Sequence, residues 1–403
     1  MKALFLTREF PPYVYGGAGV HVEYLAKELS KLMEIEVRSF GDQDSSKGNL
    51  TVKGFTFDTY EFENANDKLK AIFKTLSTGL HMNAIEIDAD IVHCHTWYSH
   101  FAGIMAKLCY GTPLVITTHS LEPLRPWKRE QLGRGYDASS WIEKTAIEMA
   151  DVLIAVSKET KDDILKYFDV DDTKIEVVYN GIDLKEYVVV SETSVLDDYG
   201  IDKTKPYVLF VGRITRQKGI IHLVNAIKYI DKDTQVVLCA GDPDTPEIAK
   251  EMEDSVNEAS KTRDNIIWSD KMLDKKDVIQ LYSHADVFCC PSIYEPFGII
   301  NIEAMACETA VVASAVGGIK EVVVEGETGL LIELEQQKSA PFEPVYPDQF
   351  SRELAKGINK VIANKELRNK MAKNGRKRVE EFFDWTAIAK QTESIYKNLI
   401  QAR

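Results

Sequence analysis

The chain has 403 residues, of which 44% are hydrophobic and 28% are charged, a composition typical of a folded globular protein and not of a disordered one. Its formal charge is −14 at pH 7, from 49 basic and 63 acidic residues, which excludes nucleic acid and anionic membranes as general partners. Any phosphate that the protein binds must therefore meet a local cationic pocket. At this length we expect two domains of roughly 200 residues each.

The N-terminal sequence predicts a cytoplasmic protein with no membrane partner. Its apolar run, Ala3–Leu6, is followed at once by Arg8 and Glu9, so it is too short for a signal peptide or a membrane span. No later segment reaches about 18 consecutive apolar residues. The six cysteines lie mostly in apolar runs and form no CxxC pair, so we expect buried thiols and no zinc or redox site.

Short apolar, β-branched segments alternate with helical segments along the chain, which is typical of βαβ units on parallel sheets. The first series comprises Ala3–Leu6, Ile91–Cys94, Leu114–Thr117, Val152–Val156 and Ile175–Val178. The second series comprises Tyr207–Val211, Gln235–Cys239, Val287–Cys290 and Ala310–Ala313. The pattern predicts an α/β protein with two doubly wound, Rossmann-like domains.

Turn-forming residues accumulate between position 180 and Pro206, and we place the domain junction there. The first domain is expected over 1–184 and the second over 185–384. Near the C-terminus, a helix is predicted to begin at Trp385 after an N-cap at the preceding aspartate. This helix is expected to cross back, so that 385–403 belong to the first domain.

A glycine-rich turn follows the first predicted strand. Gly16 and Gly17 stand between this strand and a helix that carries Tyr24 and Leu25 on its apolar face. Glycines at such a turn let backbone amides approach a phosphate at the positive end of the helix. A tight turn without a ligand explains them equally well. The spacing is not GxGxxG, so an ordinary dinucleotide site is not supported.

A cationic loop follows the first strand of the second series. It starts at Gly212 and continues with Arg213, Arg216 and Lys218 beyond the strand end, where ligands collect in doubly wound sheets. Arg213 and Lys218 are predicted to stabilise a nucleotide diphosphate leaving group, an effect of about 2.7–4 kcal/mol for one well-placed donor. A solvated basic loop is the alternative, and it is less favoured because the chain is otherwise acidic.

Two carboxylates flank a Pro-Phe-Gly turn after a later apolar strand. Glu295 precedes the turn and Glu303 lies on the helix that follows it. We expect both to face one site, with Glu295 at sugar hydroxyls and Glu303 accepting both hydroxyls of a ribose. Taken alone, Glu303 is better explained as a capping or surface glutamate.

In this order and spacing, the three motifs resemble those of the retaining glycosyltransferases with the GT-B fold, in which two Rossmann-like domains face each other across a cleft. Residues 118–128 and 304–307 narrow the resemblance to the short glycogen synthases of actinobacterial type, a group that includes maltose-1-phosphate synthases. The resemblance extends over essentially the whole chain. It implies a retaining hexosyltransferase that works without a metal ion or a resident cofactor.

The activity that the resemblance implies is transfer of glucose from ADP-glucose or UDP-glucose to the 4-hydroxyl of an α-1,4-glucan, as in glycogen synthases. One alternative is a maltose-1-phosphate synthase, which uses glucose 1-phosphate as the acceptor. Another is a non-catalytic protein of the same fold that binds glucan or nucleotide sugar. No nucleic-acid partner is expected, and the oligomeric state is left open.

The resemblance also assigns roles to individual residues. Arg213 and Lys218 bind the donor diphosphate, Glu295 contacts the transferred glucose, and His119 lies beside the 6-hydroxyl of that glucose. The nucleotide sugar is expected to contact Gly16, Gly17, Gly212, Phe297, Gly298, Ile299, Ile300 and Glu303. The candidate acceptor contacts are Trp97, Arg125, Trp127 and Lys128.

No metal site is predicted. His93 and His95 share one face of a strand, but no third ligand stands at a plausible spacing in the sequence. We also expect no Asp-x-Asp motif at the cleft, the motif that holds a metal in other nucleotide-sugar enzymes.

Four positions depart from the family pattern. Val14 stands where larger bacterial glycogen synthases carry a lysine, which removes a cationic contact to the donor phosphate. Thr96 stands where they carry an aspartate, which removes any acceptor role of that side chain. Glu308 and Lys320 replace the Gly and Pro that are usual in the short group, and the sequence offers no functional account of either.

Overall fold

The computed structural model describes residues 1–14, 16–57, 62–271, 273–338 and 342–402. The chain divides into two compact units, Met1–Gly181 with Trp385–Arg403, and Ile182–Asp384. The junction thus lies at Gly181, where the sequence had suggested 184. Among the described helices, none has both the length and the apolar surface needed to cross a bilayer.

The first unit is built on a mostly parallel sheet. Its described strands are β1 (Lys2–Thr7), β2 (Glu34–Phe40), β3 (Asp44–Lys47), β4 (Leu50–Phe55), β5 (Ile91–His95), β6 (Leu114–Thr118), β7 (Val152–Ala155) and β8 (Ile175–Val177). Their order is β3-β4-β2-β1-β5-β6-β7-β8, and only β3 and β4 pair in antiparallel fashion. The order reverses between β1 and β5, which is where ligands bind in sheets of this kind.

Helices connect these strands and cover the sheet. They are α1 (Gly17–Leu29), α2 (Asp67–Ala84), α3 (Trp97–Tyr110), α4 (Lys128–Leu132), α5 (Gly135–Met149) and α6 (Lys158–Tyr167). Every residue of β5 and β6 is buried, as expected for central parallel strands with helices on both faces. Helix α6 is capped by Ser157, whose hydroxyl accepts a hydrogen bond from the backbone N–H of Thr160 and so satisfies one donor of the first turn.

The second unit has a parallel sheet throughout its described part. Its strands are β9 (Tyr207–Arg213), β10 (Gln235–Gly241), β11 (Ile266–Ser269), β12 (Val287–Cys290), β13 (Val311–Ser314) and β14 (Gly329–Ile332). Their order is β11-β10-β9-β12-β13-β14, which is the doubly wound order with its reversal between β9 and β12. The loops that follow β9 and β12 therefore start at the same edge, side by side.

Eight described helices pack on this second sheet or follow it. They are α7 (Ser194–Asp198), α8 (Ile220–Ala226), α9 (Pro246–Ser260), α10 (Lys275–His284), α11 (Ile299–Ala306), α12 (Ile319–Val322), α13 (Pro347–Ala363) and α14 (Lys365–Phe382). The core combines apolar faces of strands and helices, with Phe210, Leu223 and Leu354 almost fully buried. Each unit thus has a hydrophobic core of its own.

The last helix, α15 (Trp385–Gln401), belongs to the first unit. Its first residue, Trp385, stacks on Tyr24 of α1 with the ring centroids 6.0 Å apart. Tyr396 is fully buried and its hydroxyl bonds to His93 of β5. The helix therefore completes the cover of the first sheet.

Several strands lay outside the predicted series because they lack a continuous apolar run. Strand β2 mixes apolar and polar residues and includes Arg38, which is only 1% exposed. The buried guanidinium is accommodated because it donates to backbone carbonyls, such as those of Ile85 and Glu86. Strand β3 is fully exposed and polar. One cysteine, Cys109, is exposed, which corrects the expectation of buried thiols.

Candidate active site

Two motifs of the second unit meet in an ion pair. The loop after β9 carries Lys218 and the loop after β12 carries Glu295, and the ammonium Nζ donates to Oε2 of the carboxylate at 2.7 Å. The hydroxyl of Ser292 donates to the same oxygen at 3.2 Å. Burial disfavours the charged ammonium, but Glu295, together with Cys290 and Glu303, outweighs this effect and raises the pKa of Lys218. A cation and a carboxylate are thus held together at the sheet reversal.

Glu303 lies on α11 and receives two tyrosine hydroxyls. Tyr187 donates to Oε1 at 2.9 Å and Tyr282 donates to Oε2 at 3.2 Å. Burial raises the pKa of Glu303, while the two tyrosines limit the rise by stabilising the carboxylate. Neither tyrosine belongs to a sequence motif, and Tyr187 is 116 residues away from Glu303, so no local pattern predicts these contacts. The carboxylate is therefore oriented from two sides.

Arg213, at the end of β9, is engaged by two acidic residues that the sequence analysis also missed. Its Nε donates to Asp242 at 3.0 Å and one terminal nitrogen donates to Asp244 at 3.0 Å. Both aspartates follow β10, the neighbouring strand, and the Asp244 side chain is largely buried. They form an Asp-x-Asp motif after a strand, which corrects the expectation that the chain has none. In this arrangement a diphosphate has to compete with two carboxylates for the guanidinium, and the predicted contact stays a prediction.

The turn between Glu295 and Glu303 forms the start of α11. Gly298 caps this helix with a φ of 102°, a conformation that favours glycine. Ile299 and Ile300 form the first turn, where helix geometry leaves backbone N–H groups without intrahelical partners. Phe297 is 2% exposed and packs edge-on against Phe383, so its side chain belongs to the core. The predicted contact of Phe297 with the nucleotide sugar is therefore left to its backbone and stays a prediction.

The other glycines that were predicted to contact the nucleotide sugar lie near the end of β9 and at the start of α1. Gly212 is inside β9, where it pairs with Ala240 of β10. Gly16 caps α1 and Gly17 is its first residue. The backbone N–H of Gly16 donates to Oε2 of Glu9 at 2.9 Å. A phosphate at this turn would therefore have to displace Glu9 or use later amides of the helix.

His119 of the first unit is surrounded by imidazoles. It follows β6, and its Nε2 lies 3.1 Å from Nδ1 of His95, the last residue of β5. His21 of α1 contacts the His119 ring edge-on at a centroid distance of 4.7 Å. One ring nitrogen from each of the three lies within 4.8 Å of the others. This group differs from the pair weighed in the sequence: it contains His95 but not His93, and its other members come from α1 and from the loop after β6.

Burial keeps these three imidazoles neutral. It lowers the pKa of His21 to about 4, and it lowers the pKa values of His95 and His119 well below the ordinary value. Neighbouring histidines add to the effect on His95 and His119 through repulsion between like charges. At neutral pH the group therefore offers hydrogen-bond donors and acceptors and no positive charge.

The residues that were predicted to contact the acceptor differ in their partners and in their exposure. Arg125 donates from Nη1 to the hydroxyl of Ser120 at 3.0 Å, next to His119. Lys128 lies on α4, where its ammonium donates to the side-chain oxygen of Gln131 at 2.7 Å. Trp127 is 6% exposed, which leaves little ring surface for a sugar.

Trp97 is enclosed by other side chains. It is 4% exposed and packs in a small hydrophobic cluster with Ile72, Leu132 and Tyr136. A ring enclosed in this way stabilises the packing of α2 and α3 and offers little surface to an acceptor, so the acceptor contact stays a prediction. The aromatic residue that followed a strand end in the sequence is therefore part of the core.

Two of the four positions that depart from the family pattern, Thr96 and Glu308, adopt left-handed backbone conformations. Thr96 has a φ of 68°, and its hydroxyl is buried without a hydrogen-bond partner in the described part of the chain. Glu308 has a φ of 55° just after α11, where helices commonly end in a glycine. The positive φ at this position explains why the short group usually has a glycine there.

Comparisons with known proteins match both units. Sequence models described as Glycosyltransferase Family 4 and Glycosyl transferases group 1 match residues 15–186 and 192–341. The α-maltose-1-phosphate synthase of Mycolicibacterium smegmatis is 44% identical over 407 residues, covering 99% of this chain and 100% of that protein. The glycogen synthase of Mycobacterium tuberculosis is 26% identical over 423 residues, covering 98% and 94%. The structure of a sucrose-phosphate synthase from Thermosynechococcus elongatus has a TM-score of 0.82 at 25% identity, with 100% of both chains covered.

Proposed function

Because this chain belongs to the GT-B glycosyltransferases, in the group of the glycogen synthases and maltose-1-phosphate synthases, we propose that it is a cytoplasmic, retaining glucosyltransferase that uses glucose 1-phosphate as its acceptor. The donor is ADP-glucose or UDP-glucose, and the product is a phosphorylated disaccharide. The observation that carries this choice is the 44% identity to an α-maltose-1-phosphate synthase over 99% of the chain. Transfer to an α-1,4-glucan, which was the first prediction from the sequence, becomes the second candidate. It is supported by the 26% identity to a glycogen synthase.

The second unit supplies the donor chemistry in this proposal. As the bond between the anomeric carbon and the phosphate oxygen stretches, negative charge grows on the nucleotide diphosphate. The Lys218 ammonium, with Arg213 near the same strand end, stabilises that charge without a metal ion. Glu295 binds hydroxyls of the transferred glucose, and Glu303 binds the ribose.

The Lys218–Glu295 pair fits this division of labour. Before the donor binds, each group neutralises the other, so neither is left as an uncompensated buried charge. When the diphosphate arrives, the ammonium has a second anion to contact and keeps its protonated form, since its pKa is raised. The positive charge is therefore in place before the transition state forms, which is what electrostatic preorganisation requires.

Arg125 is the first-unit cation that best suits an acceptor phosphate. Its guanidinium lies beside Ser120, the residue that follows His119. Its Nε is buried and has no hydrogen-bond partner among the described residues. The nearest oxygen of Glu122 is 3.8 Å from Nη1, a loose pair that leaves the guanidinium able to bind an anion. A phosphorylated acceptor is attracted by this positive charge, whereas the uncharged end of a glucan is not.

The proposal is tested by nucleotide release. ADP-glucose and UDP-glucose are each offered with glucose 1-phosphate and, separately, with glycogen, and the sugar product is identified by mass spectrometry and NMR. We expect release with glucose 1-phosphate and formation of an α-linked disaccharide phosphate. Release only with glycogen would make the protein a glucan synthase. The absence of nucleotide release in all four reactions would contradict both candidates. The remaining candidate would then be a non-catalytic protein that binds glucan or nucleotide sugar.

Glu303→Ala is expected to weaken donor binding much more than turnover. Hydrogen bonds to a charged group contribute about 1.5–3 kcal/mol, so the donor KM should rise about tenfold or more. Initial rates over a range of donor concentrations give KM and kcat separately. Glu353→Ala, on α13, is the control and should leave both unchanged. A collapse of kcat at saturating donor would contradict the ribose role.

A further inference from the structure

His119 shares one hydrogen bond with His95, and only one of the two can donate in it. Nδ1 of His95 and Nε2 of His119 are 3.1 Å apart, a hydrogen-bonding distance. A neutral imidazole carries one N–H and one bare nitrogen. Since both rings are neutral at pH 7, the proton of this bond belongs either to His95 or to His119, and the choice fixes the tautomers of both.

The other nitrogen of His95 decides between the two arrangements. This nitrogen, Nε2, is buried and has no hydrogen-bond partner in the described part of the chain. If His119 donated, His95 would have to carry its own proton on Nε2, as a buried N–H without an acceptor. If His95 donates from Nδ1, Nε2 is a bare acceptor instead. Buried N–H groups without partners are rarer in proteins than under-used acceptors.

We infer that His95 is a positioning residue: it donates its Nδ1 proton to Nε2 of His119 and so makes His119 present an Nδ1–H donor to a sugar hydroxyl. The tautomer follows from the contacts of the first unit alone. The sugar contact rests on the proposed function, in which His119 lies beside the glucose 6-hydroxyl.

His21 supports the same geometry. Its Nδ1 lies 2.6 Å from the side-chain oxygen of Asn180, which makes this nitrogen the donor and fixes the His21 ring. The edge-on contact between His21 and His119, with ring planes 73° apart, restricts rotation of the His119 ring. His21 of α1 therefore fixes the orientation of the His119 ring, and His95 of β5 fixes its tautomer.

A transition metal held by the three histidines is the competing explanation. The nitrogens are near enough, within 4.8 Å of one another. Histidines that ligate metals nearly always donate their second ring nitrogen to a carboxylate, carbonyl or water. His21 meets this requirement through Asn180, but Nε2 of His95 has no such partner in the residues described. The contacts therefore favour a hydrogen-bonded pair, and metal binding becomes an outcome of the test.

The tautomer is tested directly by long-range ¹H–¹⁵N NMR of protein labelled with ¹⁵N-histidine. Signals are assigned by their loss in His119→Asn and His95→Asn variants. We expect both His95 and His119 to be protonated at Nδ1 and bare at Nε2. A His119 protonated at Nε2 would overturn the inference, and so would stoichiometric zinc in metal analysis of the purified protein. This measurement needs no activity, so it stands whether or not the proposed function does.

The consequence for the sugar is tested with a matched pair of variants. In His95→Asn, the amide nitrogen takes the place of Nδ1 and can still donate, whereas His95→Leu has nearly the same shape and cannot. Each enzyme is assayed with a glucose donor and with its 6-deoxyglucose analogue. We expect the wild type and His95→Asn to prefer the glucose donor by about tenfold, the value of one hydrogen bond. In His95→Leu this preference should nearly disappear.

Equal losses with both donors in the two variants would mean that His95 has only a structural role, and the inference would fail. If His95→Asn lost the preference as fully as His95→Leu, the donated proton would not be what matters. A wild type that transfers glucose but shows no preference for the 6-hydroxyl would overturn the sugar contact while leaving the proposed function intact. No transfer by the wild type would instead contradict the proposed function, and the NMR result would still decide the tautomer.

Discussion

Lys218→Ala is expected to lower kcat by about 100-fold or more at saturating donor, because an electrostatic partner of the leaving group acts mainly in the transition state. The ammonium is the half-buried cation that contacts Glu295 at 2.7 Å, and its raised pKa keeps it charged. Steady-state rates of nucleotide release with saturating donor and acceptor measure the effect. Donor KM should change less than kcat.

The substitution also leaves Glu295 without its partner, and an unpaired buried charge destabilises a protein by about 3–5 kcal/mol. Lys218→Gln separates this effect from catalysis, since its amide can still donate to Glu295 but carries no charge. We expect Lys218→Gln to fold and to lose turnover as Lys218→Ala does, with folding followed by thermal unfolding. Lys228→Ala, at an exposed position of the same unit, is the control. Near-normal turnover in Lys218→Gln would show that the charge is not used.

Much of the fold was accessible from sequence because parallel strands buried on both faces appear as continuous apolar runs. The runs that begin at Ala3, Ile91 and Tyr207 correspond to β1, β5 and β9. Strands that break this rule were missed, and so were β11 and β14, whose apolar runs are short. Strand β2 includes a buried arginine, Arg38, whose guanidinium donates to Glu36 and to backbone carbonyls distant in sequence, and no local pattern predicts the distant contacts.

The site was predictable where chemistry and topology coincide. Lys218 and Glu295 each follow a strand, and the sheet order places those strands side by side, so the motifs meet. Partners from unremarkable segments were not predictable. Tyr187 reaches Glu303 from the junction between the units, and His21 reaches His119 from the middle of a helix, where a histidine has many possible roles.

Aromatic residues near the motifs were the weakest basis for prediction. Trp97 follows a strand end, as a sugar-binding residue would, but its ring is enclosed by α2, α4 and α5 side chains. The sequence shows the residue type and its neighbours along the chain, whereas burial depends on helices that pack from elsewhere. The same reason explains why the Phe297 side chain lies in the core.

Gly219→Ala is expected to separate the two loops that hold Lys218 and Glu295. Gly219 has a φ of 58°, and a Cβ placed on it would lie 2.1 Å from the carbonyl oxygen of Pro291. The backbone also joins the loops, because the N–H of Ile293 donates to the carbonyl of Gln217 at 2.9 Å. An added methyl group must push these backbones apart.

We expect Gly219→Ala to lower kcat by about 100-fold, since a displacement of about 1 Å at a reacting group is enough for such a loss. Gly200→Ala is the matched control: its φ is 67° but nothing lies within 4 Å of the added Cβ, so it carries only the left-handed strain of roughly 1–2 kcal/mol. Urea unfolding and steady-state rates should show Gly219→Ala to be both less stable and far less active than Gly200→Ala. Equal behaviour would mean that the close approach of the two backbones does not set the geometry of the Lys218–Glu295 pair.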